Sequence, residues 1–261
     1  MRAREAQRVD ALFHDPYACA LAGERGAREA QRLRSRVLFS GVATRTAVFD
    51  EFVLDAVYNY GARCVLNLGA GLDTRPYRLP LPARVRWVEA DCAALIDYKS
   101  RPLADGRAAC TVERVAVDLA DAAARTALLS RLDDDVPTLV LTEGVLVYLT
   151  PGDVEALARD LAGAPAVRWW ALDVSDVRLA RWANGLRSGR GGRDPALRFT
   201  APGAEFFRPL GWEPIVAQSS WEERRRVGRE PLLMRAAWAV SPAPLRGAMG
   251  RLGTFAILER R

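Results

Sequence analysis

Apolar residues in the first sixty positions recur at the spacing of a helix. From Thr44 to Tyr60 they return about every four residues, and Gly61 follows as a stop signal. A weaker helical pattern runs from Arg2 to about Gly23 and breaks at Asp15-Pro16. The apolar positions of the two segments are Val9, Leu12, Phe13, Val48, Phe52, Val53, Ala56, Val57 and Tyr60. The pattern predicts a helical cap over residues 1–61 that contributes to any ligand site of the core.

Short apolar segments alternate with helical ones from residue 63 onward. The predicted strands are 63–68, 84–89, 111–117, 137–142, 167–174, 212–218 and 254–258. The predicted helices are 91–103, 121–132, 151–163 and a short one near 200–209. Thr150, Pro151 and Asp153 form a start signal for the third of these, with a capping box. Strands separated by helices are typical of parallel βαβ units, so we expect a Rossmann-like α/β core over residues 62–261.

Residues 175–198 follow the fifth predicted strand and are rich in arginine and glycine. We interpret this segment as a mobile lid or insertion. Its Arg187, Arg190 and Arg193 could attract an acidic ligand, or they could be surface residues of a loop.

Composition places the chain among ordinary globular proteins. Its 261 residues are 50% hydrophobic and 27% charged, and no apolar run reaches the length of a membrane span. The charged start lacks the apolar region of a secretory signal, so we expect a cytoplasmic protein. The four cysteines are scattered and His14 is the single histidine, so no metal site is expected.

The net charge of +6 raises the question of a nucleic-acid partner. Lys99 is the single lysine, and the arginines are spread along the chain rather than gathered in a tail. The densest run, Arg224-Arg225-Arg226, follows two glutamates. We interpret it as the solvated face of a helix rather than a phosphate-binding patch, and we expect no nucleic-acid or membrane partner.

The segment Asn67–Arg75 directly follows the first predicted strand and contains Gly69-Ala70-Gly71. Glycines at this turn let a backbone approach a nucleotide cofactor closely. A dinucleotide fingerprint would have a third glycine where Thr74 stands, which makes the turn a poor cradle for a pyrophosphate. The turn favours a nucleoside cofactor without phosphate.

Four acidic residues lie at or just after the ends of the next three predicted strands. Glu89 and Asp91 end the second strand, where a carboxylate can bind both ribose hydroxyls or cap the following helix. Asp118, before Leu119, could accept from an adenine amine while the leucine packs on the ring, or it could be a helix cap. Glu143, after the fourth strand, needs a partner, either a ligand amino group or an arginine such as Arg45.

Six ordered segments resemble the leucine carboxyl methyltransferase family, and within it bacterial O-methyltransferases of polyketide biosynthesis. The matching segments are Asp15–Ala18, Ala43–Thr46, Asn67–Arg75, Glu89–Asp91, Asp118-Leu119 and Thr142–Leu149, with a looser match at Phe206–Trp212. The resemblance implies a class I methyltransferase fold: a seven-stranded, mostly parallel sheet with an antiparallel terminal hairpin. It also implies S-adenosyl-L-methionine as cofactor, with S-adenosyl-L-homocysteine as product.

The resemblance carries cofactor roles onto particular residues. It implies that Arg45 binds the methionine carboxylate, that Asp91 binds the ribose and that Glu143 lies near the cofactor amino group. The full set of implied cofactor residues is Arg45, Gly69, Ala70, Gly71, Glu89, Asp91, Asp118, Leu119 and Glu143.

The sequence leaves two chemical types of methyl acceptor open, a carboxylate and a hydroxyl. A carboxylate is already ionised at neutral pH and needs no general base. A hydroxyl acceptor would lose a proton, and His14, Asp15 or Tyr148 could then take part, with Glu143 at the floor of the site. We expect a small molecule or a short peptide as acceptor. The alternatives are a nicotinamide-dependent oxidoreductase and an RNA-modifying methyltransferase.

Overall fold

The computed structural model describes residues 1–32, 35–178, 180–181, 184 and 197–261, and its centre is a seven-stranded sheet. The strands are β1 (Cys64–Leu68), β2 (Arg86–Asp91), β3 (Thr111–Ala116), β4 (Thr138–Thr142), β5 (Val167–Ser175), β6 (Trp212–Ser219) and β7 (Gly253–Arg260). Their order across the sheet is β3-β2-β1-β4-β5-β7-β6. Strands β1 to β5 are parallel, and β7 runs antiparallel to both β5 and β6. The predicted fold class, with its terminal antiparallel hairpin, is confirmed.

The chain order reverses at β1, because β2 lies on one side of it and β4 on the other. Ligands of open α/β sheets bind outside the carboxyl ends of the strands at such a reversal. A ligand site is therefore expected beside the loops that follow β1, β2 and β4.

Helices cover both faces of the sheet. The helices whose bounds lie within the described residues are α1 (Arg2–Ala6), α2 (Ala18–Arg32), α3 (Arg36–Tyr58), α4 (Arg75–Arg78), α5 (Ala93–Ser100), α6 (Ala122–Leu129), α7 (Pro151–Gly163), α8 (Ser220–Arg226), α9 (Leu232–Val240) and α10 (Ala243–Gly250). In the described part of the chain, 3₁₀ helices lie at Leu146–Tyr148 and Ala204–Leu210. The capping box at the start of α7 is present as predicted: Thr150 accepts from the Asp153 N–H at 3.2 Å, and Asp153 accepts from the Thr150 N–H.

Alternate residues of the central strands face two separate cores. Val65 of β1 packs on the side of α3, with Phe49 and Phe52, whereas Leu66 packs on the side of α7, with Leu157. All five residues of β1 are buried, as expected for a parallel strand covered by helices on both faces. Burial of each large apolar side chain contributes about 1.5–3 kcal/mol.

The N-terminal prediction was partly wrong. The helix expected from Arg2 to about Gly23, with its break at Asp15-Pro16, is replaced by α1 and α2: the chain leaves the helix already after Ala6, and Val9 is fully exposed. Helix α3 starts before Thr44, since Ser35 caps it by accepting from the Leu38 N–H. Tyr60 lies beyond its end.

Other parts of the chain differ from the prediction or stay untested. The short helix near 200–209 is a 3₁₀ helix, and α9 and α10 were not predicted. Most of the predicted lid, including Arg187, Arg190 and Arg193, lies outside the described residues. None of the helices in the described part of the chain is long and apolar enough to cross a membrane. The division into a cap and a core at residue 62 remains a prediction.

Candidate functional site

The loop after β1 packs tightly against the loop after β4. Gly69 has a φ of +63°, and a Cβ atom at this position would lie 2.5 Å from Val145 Cγ2. Asn67, at the end of β1, fixes the far side of the loop by donating to Asp73 Oδ2 at 2.8 Å. A glycine is therefore required at 69 both by the backbone conformation and by the space.

Asp91 connects the end of β2 to the same loop. Its Oδ2 accepts from the Gly71 N–H at 2.7 Å, and its Oδ1 accepts from the Cys92 N–H at 2.7 Å. One carboxylate thus fixes the glycine turn and lies at the mouth of the cleft that the turn borders.

This cleft has a volume of about 730 Å³. Its lining includes Gly69, Gly71, Asp91, Ala93, Leu95, Val117, Asp118, Leu119, Gly144, Val145, Tyr148 and Leu149. The walls are mainly apolar, with two carboxylates at the ends of β2 and β3. Such a surface suits a flat, weakly polar group that also carries hydrogen-bond donors.

Asp118 and Leu119 lie together on the cleft wall. Asp118 Oδ1 accepts from the Ala120 N–H at 2.9 Å, and the cap of α6 is instead Asp121, which accepts from Ala123 and Ala124. The alternative that Asp118 is the helix cap is therefore wrong. Asp118 lines the cleft, where its carboxylate can contact a ligand.

A second, more polar cavity of about 330 Å³ adjoins the cleft and shares Gly69 and Gly71 with it. The other lining residues are Met1, Arg2, Val42, Arg45, Thr46, Asn67, Ala70, Leu72, Asp73, Arg75 and Glu143. Charged groups dominate this end of the site, in contrast to the cleft. No histidine or lysine side chain of the described residues lines either cavity.

Glu143 is held between two arginines. Its Oε1 lies 3.2 Å from Arg45 Nε, and its Oε2 lies 2.7 Å from Arg75 Nη2. Arg45 Nη1 also donates to Asp173 Oδ2 at 3.1 Å. Of the two partners considered for Glu143, an arginine is present in the structure.

Arg75 is almost fully buried and joins the network to α3 and the β1 loop. Its Nε donates to Asp50 Oδ1 at 2.7 Å, and its Nη1 donates to Asp73 Oδ2 at 2.9 Å. Burial would raise the pKa of Glu143, but Arg75 and Arg45 outweigh it and hold that pKa below its ordinary value. Arg75, Arg2 and Lys99 likewise overcome burial and lower the pKa of Asp73. Both carboxyls are therefore ionised at neutral pH.

Glu89 is not part of this site, contrary to the prediction. Its side chain is fully buried, and its two oxygens accept from Lys99 Nζ at 2.8 Å and from Arg114 Nε at 2.9 Å. Burial raises its pKa despite these cations. The two carboxylates are two positions apart and so lie on the same face of β2, where their depth separates them: Glu89 lies within the buried part of the strand, whereas Asp91 is its last residue and lines the cleft.

The remaining predicted residues fall in different places. Tyr148 lines the cleft and is 38% exposed, whereas His14 is exposed and lines neither cavity. A catalytic role for His14 therefore has no support from its position. Asp15 is buried near Arg2.

The arginine run of α8 is only partly the solvated face that was predicted. Arg225 and Arg226 are exposed and pair with Glu230, Glu223 and Glu51. Arg224 instead turns toward α3, where its guanidinium lies against Gly41, and burial lowers its pKa to about 10. Its described hydrogen bond goes to Met234 Sδ, at 3.4 Å.

Sequence reasoning missed the acidic partners of the arginines. Asp50 and Glu51 stand between Phe49 and Phe52 in the apolar part of α3, and Asp173 stands inside the apolar strand β5. A charged residue in an apolar segment needs a buried partner, and this signal could have marked Asp50 and Asp173. Arg75 was seen only as part of the turn motif.

Comparisons with known proteins agree with this architecture. The family model described as leucine carboxyl methyltransferase matches residues 1–162. A candidate S-adenosyl-L-methionine-dependent methyltransferase of Mycolicibacterium smegmatis is 34% identical over 249 residues, which cover 84% of this chain and 82% of that protein. A protein of the same description from Streptomyces avermitilis is 36% identical over 178 residues, 64% of this chain. That match spans only 62% of the Streptomyces protein, less than two thirds of its length.

A solved structure shares the fold over nearly the whole chain. The crystal structure of a candidate methyltransferase from Thermobifida fusca superposes with a TM-score of 0.61 at 19% identity, covering 99% of this chain and 94% of that one. The likeness extends through β7, beyond the segment that the family model matches. The chain belongs to the leucine carboxyl methyltransferase family.

Proposed function

We propose that this protein is an S-adenosyl-L-methionine-dependent O-methyltransferase. The observation that carries the proposal is the pair of joined cavities, one mainly apolar and one ionic, that meet at Gly69 and Gly71. An adenosine matches the first and an amino-acid zwitterion matches the second. The descriptions of the relatives support the same cofactor.

The cleft residues fit an adenosine. Asp91 and Asp118 offer carboxylate oxygens for ribose hydroxyls and an adenine amine, and Leu119 offers an apolar surface for the ring. Thr74 in place of the third glycine, and Glu143 beside the glycine turn, do not suit a pyrophosphate, which disfavours the nicotinamide-dependent alternative. Many of the described arginines are paired with acidic residues and are not available for phosphate groups, which weakens the RNA-modifying alternative.

The ionic cavity fits the methionine end. Glu143 is an acceptor for an ammonium group, and Arg45 is a donor for a carboxylate. When bound, the cofactor supplies the electrophilic methyl group. The protein's own contribution is to hold the two ends, to exclude water and to align the acceptor.

The acceptor is proposed to be a carboxylate of a small molecule or short peptide. A carboxylate needs no proton removed, in keeping with cavities whose described lining contains no histidine or lysine side chain. A hydroxyl acceptor would depend on a residue such as Tyr148. Methylation of a carboxylate gives a methyl ester, whereas methylation of a hydroxyl gives a methyl ether, so the product distinguishes the two acceptor types.

Methyl transfer from tritiated S-adenosylmethionine to matched pairs of acids and alcohols tests this proposal. Short peptides with a free or an amidated C-terminus extend the comparison. Methyl esters release volatile methanol in base, whereas methyl ethers do not. Base-labile counts with the acids alone support carboxyl methylation. Base-stable counts with the alcohols alone would contradict it and direct attention to Tyr148.

A further inference from the structure

Asp173, near the end of β5, divides its two oxygens between two parts of the site. Oδ1 accepts from the Gly144 N–H at 2.5 Å, and Oδ2 accepts from Arg45 Nη1 at 3.1 Å. Asp173 is 8% exposed and lines neither cavity. It would therefore act on a ligand only through its two partners.

Arg45 and Gly144 are also in contact with each other. Gly144 has a φ of +67°, and a Cβ atom there would lie 2.7–2.9 Å from the guanidinium of Arg45. The arginine thus lies flat against the turn whose N–H Asp173 accepts. Gly144 borders the cleft, and Arg45 borders the ionic cavity.

The contacts of Arg45 leave one edge of its guanidinium available. Nε faces Glu143 and Nη1 faces Asp173, while none of the described residues accepts from Nη2. Arg45 keeps 28% of its side-chain surface exposed. With two of three nitrogens fixed, the direction of Nη2 is set by Asp173 and Glu143 together.

We infer that Asp173 is a positioning residue, which orients Arg45 for the carboxylate at the amino-acid end of the cofactor and fixes the Gly144 turn between the two cavities. The inference rests on the proposed function. A residue that merely supports the fold would affect the binding of both kinds of ligand equally. The effect of Asp173 should instead depend on whether the ligand has a carboxylate.

Two ligands test that difference by calorimetric titration: S-adenosylhomocysteine, and 5′-methylthioadenosine, which lacks the amino-acid portion. In Asp173→Asn the side-chain oxygen can still accept from Gly144, but the new NH₂ group faces the Arg45 donor. We expect the affinity for S-adenosylhomocysteine to fall by about tenfold or more, as for loss of a charge-assisted bond. The affinity for methylthioadenosine should change by less than about twofold.

Double variants give the second readout. In an Arg45→Ala background, Asp173→Asn should cause no further loss of S-adenosylhomocysteine affinity. If the asparagine variant does not fold, Asp173→Glu, which keeps the charge but moves both oxygens, should weaken the binding of S-adenosylhomocysteine more than that of methylthioadenosine, because the first ligand alone also depends on Arg45. Equal weakening of both ligands, or a full effect that persists without Arg45, would overturn the inference. Wild-type protein that binds neither ligand would overturn the proposed function as well.

Discussion

The Asp91 carboxylate and the Gly71 backbone N–H are 2.7 Å apart, and this bond ties the end of β2 to the glycine turn after β1. The turn forms a wall of both cavities, so one contact connects the proposed ribose site to the proposed methionine site. The same oxygen retains lone-pair capacity for a second donor. Asp91 can therefore shape the turn and bind a ligand at once.

Gly69→Ala should weaken both folding and cofactor binding. The new methyl group would meet Val145 Cγ2 at 2.5 Å, and the φ of +63° disfavours alanine. We expect a loss of about 1–3 kcal/mol in unfolding free energy, measured by urea denaturation. Val145→Ala in the same chain removes the clash but not the backbone strain, so it should restore part of the loss. Full restoration would show that backbone strain is unimportant here.

Arg75→Met should destabilise the protein strongly at neutral pH. It leaves Asp50, Asp73 and Glu143 buried without their shared cation, and breaking a buried ion pair costs about 3–5 kcal/mol. Arg159→Met, at an exposed pair on α7, is the matched control and should cost less than about 1 kcal/mol. Equal effects in urea denaturation would contradict the importance given to the buried network.

The same network predicts a loss of stability in acid. The pKa values of Asp73 and Glu143 lie below their ordinary values of 3.8 and 4.5, so the folded state binds fewer protons than the unfolded chain. Their contribution is fully present above about pH 4.5 and is lost as the pH falls through their folded values. Unfolding free energies measured from pH 6 to pH 3 should decline for the wild type and decline less for Arg75→Met. Parallel curves would contradict this account.

Arg224→Met should leave the protein as stable or more stable. The arginine is largely buried, burial lowers its pKa to about 10, and no described carboxylate pairs with it. Methionine retains much of the apolar stem and removes the desolvated charge, a change that can stabilise by on the order of 1 kcal/mol. Thermal unfolding measures the difference. A clear drop in melting temperature would indicate an acidic partner for this arginine.

The fold could be read from the sequence because the strands alternate with helices and end in glycine or acidic turns. Periodicity placed β1 to β5 and α7 within a few residues. It did not separate α1 from α2, because α1 has only five residues, of which Glu5 alone is buried, and so short a segment shows no helical period of apolar residues. It also gave no warning of α9 and α10, which have no fully buried residue.

The sequence predicted those residues of the candidate site that lie at or just after the ends of strands. Asp91, Asp118 and Glu143 all line the cavities. Glu89 was misassigned because it lies on the same face of β2 as Asp91, and the motif alone does not show that Glu89 is too far inside the sheet, paired with Lys99, to reach the cleft. The roles of Asp50 and Asp173 depend on contacts between residues more than one hundred positions apart or on different helices, which a linear pattern does not contain.

The cofactor site is tested most directly by calorimetric titration of folded wild-type protein and Asp91→Ala with S-adenosylhomocysteine. We predict one-to-one binding in the micromolar range for the wild type. Asp91→Ala should bind at least about tenfold more weakly, since it loses a charged acceptor for the ribose. No detectable binding to the folded wild-type protein, or equal binding to both proteins, would contradict the assignment of this cleft.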